Sequence, residues 1–93
     1  MKECCGVVES IAGPKTLCVS VKLNENLYPR YVLINNVIPR DAMACQQWLE
    51  KNVMGHNVYF FPIRTNRIGQ YVADVECEGF DVGQELIKQG LAD

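Results

Sequence analysis

Gly79-Phe80-Asp81-Val82-Gly83-Gln84-Glu85-Leu86-Ile87-Lys88-Gln89-Gly90-Leu91-Ala92-Asp93 is the stretch whose reading decides the fold. Gly79 marks a hairpin tip. The residues after it run into a small amphipathic helix, expected over residues 83–89 and stopped at Gly90-Leu91-Ala92. Just upstream, Gly69-Gln70-Tyr71-Val72-Ala73-Asp74-Val75 reads as a strand leaving a glycine turn, and the strand is expected to run over residues 70–77.

Outward from this closing unit, the first half of the chain reads as strands. Residues 4–10 are β-branched and apolar and end at the turn signal Ala12-Gly13-Pro14-Lys15. Residues 16–23 alternate, with Leu17, Val19 and Val21 on one side and Cys18, Ser20 and Lys22 on the other. Asn24-Glu25-Asn26 makes a polar turn. A third strand is expected over residues 27–35, and its Tyr31-Val32-Leu33-Ile34 centre, apolar on both faces, suits the middle of a sheet. Pro39 ends the strand region by holding Ile38 extended. Asp41 is a natural N-cap for a helix over residues 42–52, whose core stripe is Ala42, Cys45, Leu49, Trp48 and Val53, with Gly55 as the stop. A fourth strand is expected over residues 57–62, with Val58, Phe60 and Pro62 opposite Tyr59 and Phe61. The loop Arg64-Thr65-Asn66-Arg67-Ile68-Gly69 then leads to the fifth. Five short antiparallel strands, with one helix between the third and fourth and another at the end, predict an all-β barrel with helices, the five-stranded OB-fold, as a single domain over residues 1–93.

Composition bounds the function. The apolar share of 48% and charged share of 22% are those of an ordinary globular domain. No apolar run approaches the roughly 18 residues of a membrane span, and Met1-Lys2-Glu3-Cys4-Cys5 lacks the apolar stretch of a signal peptide. No membrane association is expected, and a cytoplasmic or nuclear location is. The formal charge of −2 gives no overall basic excess for phosphate binding. Five cysteines, at 4, 5, 18, 45 and 77, include no Cys-x-x-Cys pair, and the single histidine, His56, has no cysteine within ten residues. A zinc site is therefore not supported. Cys18, Cys45 and Cys77 sit in apolar patterns and are expected to be buried free thiols, which again suits a reducing compartment.

The closing segment resembles that of the staphylococcal-nuclease-like (thermonuclease) domain, in which a strand after a Tyr-Gly-Arg turn leads into a helix ending in Gly-Leu-Ala. The similarity runs in order through nearly the whole chain: the glycine turn after the first strand, the third strand with its proline loop, the first helix and the closing helix. The resemblance implies a phosphodiesterase site of calcium held by carboxylates, a carboxylate base and arginines on the phosphate. Those positions differ here. Gly13-Pro14-Lys15-Thr16 stands where the family has Asp-Gly-Asp-Thr, so Pro14 or Lys15 replaces a metal-binding aspartate. In Tyr31-Val32-Leu33-Ile34-Asn35-Asn36-Val37-Ile38-Pro39-Arg40, Val32 takes the place of the phosphate-clamping arginine, Val37 of the second aspartate and Arg40 of the catalytic glutamate. Gln70 stands for the arginine of the Tyr-Gly-Arg turn. Arg30 shares a strand face with Val32 and can stand in for the lost guanidinium, but it does not restore the carboxylates. A catalytically degenerate domain without metal or cofactor is the expectation.

By the same resemblance, degenerate domains of the Tudor-staphylococcal-nuclease class imply a non-catalytic module that binds a protein partner in RNA-regulatory or small-RNA complexes. The chain is then expected to be an excised module of a longer protein. Trp48, Met43 and Met54 are candidate partner contacts if Trp48 is exposed, whereas the plainer reading puts Trp48 in the core. An alternative is a binder of RNA or single-stranded DNA that uses a basic loop rim of Lys15, Arg30, Arg40, Arg64 and Arg67. Outward-facing members of Tyr28, Tyr31, Tyr59, Phe60, Phe61 and Tyr71 would serve it as stacking platforms. Solvated loop cations and core aromatics are the more economical reading of both sets. A residual nuclease with a rebuilt site is the second alternative. Asp74, Glu76 and Glu78 share one strand face and, with Asp81 and Glu85, form an acidic band that repels nucleic acid and suits a basic partner, or simply protects an exposed strand. His56, at a helix-to-strand corner, reads as a surface histidine.

Overall fold

The computed structural model describes residues 3–93; Met1 and Lys2, part of the stretch read above for an apolar leader, lie outside the described residues. Strands β1 (Cys4–Gly13), β2 (Thr16–Leu23) and β3 (Asn26–Ile34) form an antiparallel meander. Asn24 and Glu25 carry β2 into β3 with φ of 51° and 70°. Two successive residues in the left-handed region are what a two-residue hairpin needs to follow the strand twist. Helix α1 (Ala42–Asn52) comes next, capped by Asp41, whose Oδ1 accepts from the Ala44 amide at 3.1 Å. Strands β4 (Asn57–Thr65) and β5 (Tyr71–Cys77), a two-residue β6 (Phe80–Asp81) and helix α2 (Val82–Lys88) complete the chain. Glu78 and Gly79, with φ of 48° and 86°, make the tight turn into β6 that the hairpin reading anticipated.

The strands lie in the order β3-β2-β1-β4-β5-β6, and β3 returns to β5 to close a five-stranded barrel. The closure is parallel, with Val32, Leu33 and Ile34 opposite Tyr71, Val72 and Ala73, so the expectation of wholly antiparallel strands is corrected. Closure removes sheet edges that would otherwise template foreign strands. Only the Val32–Ile34 end of β3 is central in this way. Its first half forms a hairpin with β2 alone, and Tyr31 points outward, 48% exposed, rather than into a second apolar face.

Inside the barrel, Val8, Leu17, Val19, Val32, Val58, Phe60, Ala73 and Val75 meet from all five strands, as period-2 alternation requires. The first helix covers the barrel with Cys45, Leu49 and Val53, and the second adds Val82 and Leu86. Each of the two leucines contributes about 1.5–3 kcal/mol by leaving water. Ala42 is exposed, because the first turn of α1 projects beyond the core, and Trp48 is half-buried beside it. Cys18 is only half-buried, since it alternates with Leu17 and Val19 and falls on the outward side of β2.

Several boundaries moved. The first strand runs on through Gly13 instead of ending at Ser10, so the turn narrows to Pro14 and Lys15, while β3, β5 and the end of the last helix each shift by one residue. The fourth strand continues past Pro62 to Thr65, because a register shift between Pro62 and Arg64 absorbs the residue that cannot donate to the ladder. The final helix begins one residue early, at Val82, because Asp81 caps it by accepting from the Gln84 amide at 2.9 Å.

Candidate functional site

One end of the barrel carries a cleft of about 450 Å³ between the β1–β2 turn, the β3–α1 connection, the end of β4 and the last residue. Lys15, Asn35, Asn36, Arg64, Asn66 and Asp93 line it above apolar residues that include Ile34, Val37 and Val72. Local folding positions each of them. The Lys15 carbonyl accepts from the Ile34 amide at 2.9 Å, and its Nζ lies 3.4 Å from the Val37 carbonyl. Asn36, with φ of 57°, turns the chain off β3 just after the Asn35 amide donates to Ala73. The Asn66 carboxamide oxygen accepts from the Ile68 and Gln70 amides at 3.1 and 2.9 Å, so its side chain holds the β4–β5 loop in shape.

Of the five expected rim cations, the structure brings Lys15 and Arg64 into this cleft. Arg64 is a strand residue paired with Val72, not a loop residue. Arg40 is engaged elsewhere: its Nε and Nη2 both donate to Asp93 Oδ1, at 2.9 and 2.6 Å. That pairing raises the Arg40 pKa and lowers that of Asp93, in each case first through the hydrogen bonding. Arg30 lies on the β2–β3 hairpin opposite Val19, where it donates to the Pro29 carbonyl and sits 5.7 Å from the Tyr28 ring centre. Arg67 is exposed in the β4–β5 loop and does not line the cleft.

Val32, at the position that the resemblance gives to a phosphate-clamping arginine, is fully buried in the barrel. Val37, at that of a metal-binding aspartate, is 2% exposed. Calcium takes about six to eight oxygen ligands, several of them carboxylates. The cleft has one carboxylate, Asp93, already accepting from Arg40, and two cations that oppose a metal. Among the described residues no cluster of three or more His, Cys, Asp or Glu is arranged for a metal. The donor set does not fit calcium.

The other candidates scatter. Trp48 packs edge-on against Phe80, ring centres 6.4 Å apart, in a groove shared with Lys51, His56 and Glu85. Met43, 70% exposed, lines a separate hollow with Gln46, Gln47 and Glu50, so Trp48 and Met43 do not share a patch. Met54 follows α1, exposed, and lines neither hollow. His56 Nδ1 lies 2.7 Å from Glu78 Oε1, which draws Glu78 to the helix corner. Cys45 and Cys77 are buried, and burial pushes both thiols up, with the Glu78 charge acting in the same direction on Cys77. Neither is a ready nucleophile at neutral pH.

The sequence reading missed the place of Asp93. Asp93 belongs to the cleft because residues 91–93 fold back: Ile38 and Asp93 exchange backbone hydrogen bonds at 2.8 Å around a Pro39–Ala92 bridge. No local pattern signals that pairing. The outward side expected for Tyr59 and Phe61 is observed on β4, where Tyr59, Phe61 and Ile63 are 48%, 40% and 51% exposed, while Phe60 is wholly buried and Tyr71 packs 6.0 Å from it. Alternation with Val58 and Phe60 was the signal, and it missed Ile63 because the strand was expected to end at Pro62.

A family model described as "Staphylococcal nuclease homologue" matches residues 29–93. The matched stretch starts within β3, so the Pro14-Lys15 turn lies outside it. No curated protein matches the chain.

Proposed function

The chain belongs to the staphylococcal nuclease homologues, and from that membership we propose that it is a non-catalytic interaction module that binds protein, inside the cell, within an RNA-regulatory assembly. The observation that supports the non-catalytic half is what stands at the positions the resemblance gives to the site: Val32 and Val37 are buried apolar side chains and Arg40 is paired with Asp93. Losing even one electrostatic stabiliser lowers a rate about a hundredfold or more, and here the base and the metal ligands are replaced together. The exposed row Tyr59, Phe61, Ile63 supports the binding half, since adjacent large apolar side chains on a sheet face mark interaction surfaces. The RNA-regulatory setting follows the class that the family likeness suggests.

Incubation with labelled RNA and DNA in calcium or magnesium tests the catalytic half. Intact substrate is the expected result, and cleavage abolished by Lys15→Ala overturns it. Crosslinking and capture with ribonuclease treatment test the binding half. A stoichiometric protein partner is expected to survive the treatment; recovery of RNA alone reverses the reading.

The convergence of Lys15 and Arg64 in one cleft favours a second reading, binding of single-stranded RNA or DNA. It requires steep salt dependence and loss of affinity in Lys15→Ala and Arg64→Ala. A flat oligonucleotide titration at low salt disposes of it.

A further inference from the structure

The outward face of β4 and β5 sets aromatic rings beside carboxylates. In the antiparallel register Tyr59 lies opposite Glu76 and Phe61 opposite Asp74, and directly opposed residues project from the same face. All four are exposed. Cys5 of β1 flanks Tyr59 on the other side, and Asp81 of β6 lies beyond Glu76, so the rings run between residues 4–7 of β1, which carry no charged side chain, and an acidic strand. Among the described residues Arg40–Asp93 is an ion pair and His56 contacts Glu78, and neither contact involves Asp74 or Glu76. Among the described residues Asp74 accepts only from Asn35 Nδ2, at 3.3 Å.

We propose that this face is a docking site for an extended segment of a partner protein bearing arginines at alternate positions. Each guanidinium would stack on Tyr59 or Phe61 and donate to Glu76 or Asp74. The inference rests on the interaction-module reading and names the partner's chemistry. Spacing carries it: same-face residues along a strand are about 6.6–6.8 Å apart, and an extended peptide presents alternate side chains at the same interval. Each ring and its carboxylate are about 4.5–5.5 Å apart at Cβ, within the span of one planar guanidinium that stacks by its face and donates by its edge. The chain itself holds such a stack, Arg30 over Tyr28. Charge decides the class of partner, because the carboxylates beside the rings repel a phosphate backbone and attract a basic peptide.

Fluorescence anisotropy of the whole chain with a labelled dodecapeptide of alternating arginine and valine tests this. An aspartate-for-arginine peptide and an oligouridine serve as controls. The arginine peptide alone is expected to bind. Affinity should fall about tenfold in Tyr59→Ala, Phe61→Ala, Glu76→Gln and Asp74→Asn, while Tyr59→Phe stays near the parent. Amide shifts on binding should cluster on the outward residues of β4 and β5. No binding, binding insensitive to the aromatic changes, or oligouridine perturbing the same amides each overturns the inference. The broader reading fails separately, when ribonuclease-resistant capture yields no stoichiometric protein; a partner crosslinked to another surface sinks only the arginine site.

Discussion

Arg40 reaches across from the residue after Pro39 to grip a single carboxylate oxygen of Asp93, 53 positions later in the chain. The backbone has already joined these segments through the Ile38–Asp93 ladder. The Cys45 thiol adds a further tie by donating to the Leu91 carbonyl at 2.9 Å. The residue that the resemblance sets in place of a catalytic carboxylate thus fastens the end of the chain to the mouth of the cleft.

This pair gives a pH signature. Arg40 holds the Asp93 carboxyl below its ordinary value, chiefly by hydrogen bonding. Because the folded-state pKa lies under the unfolded one, the carboxylate's contribution is complete above the unfolded value and is lost as pH falls through the folded one. In Arg40→Ala, NMR titration should move the Asp93 midpoint up toward the ordinary carboxylate value. The shift should shrink in high salt, since both side chains are more than half exposed. A midpoint unmoved by the substitution would falsify the pairing.

Neighbouring aromatics should part sharply. Phe60 is 0% exposed at the barrel centre and Phe61 is 40% exposed on its wall. Phe60→Ala is expected to lower the unfolding free energy by about 3–5 kcal/mol, and Phe61→Ala to stay within about 0.5 kcal/mol. Urea titrations compare them directly, and equal losses would contradict the register of β4.

Two glycines of β1 should also differ. A side chain on Gly6 would run into the Ser20 backbone carbonyl and come within 2.8 Å of Val19 Cγ1. Gly6→Ala must push β1 off β2 and is expected to cost about 1–3 kcal/mol or more. At Gly13 the nearest atom would be Thr16 Oγ1 at 3.6 Å, ordinary contact, so Gly13→Ala should be nearly silent in thermal melts.

Thiol reactivity should follow burial. Cys5 is exposed, whereas Cys45 and Cys77 are buried with raised pKa values. Pulsed alkylation with mass spectrometry should modify Cys5 first and reach Cys45 and Cys77 only with unfolding. Early labelling of Cys45 would show that the end of the chain opens readily from α1.

Much of this architecture lies in local chemistry. Strict alternation at Leu17, Val19 and Val21 fixed the inward face of β2, and Asp41 fixed the start of α1, because side-chain period and capping act over a few residues. Tyr59 and Phe61 were placed opposite Val58 and Phe60 by the same rule. What sequence could not decide is whatever depends on chain closure. The parallel β3–β5 contact, the β-ladder neighbours that give Tyr59 and Phe61 their carboxylates, and the Arg40–Asp93 clasp join residues far apart in the chain. Such pairings are set by how the barrel's twist and register bring distant backbones together, and no short-range periodicity encodes them.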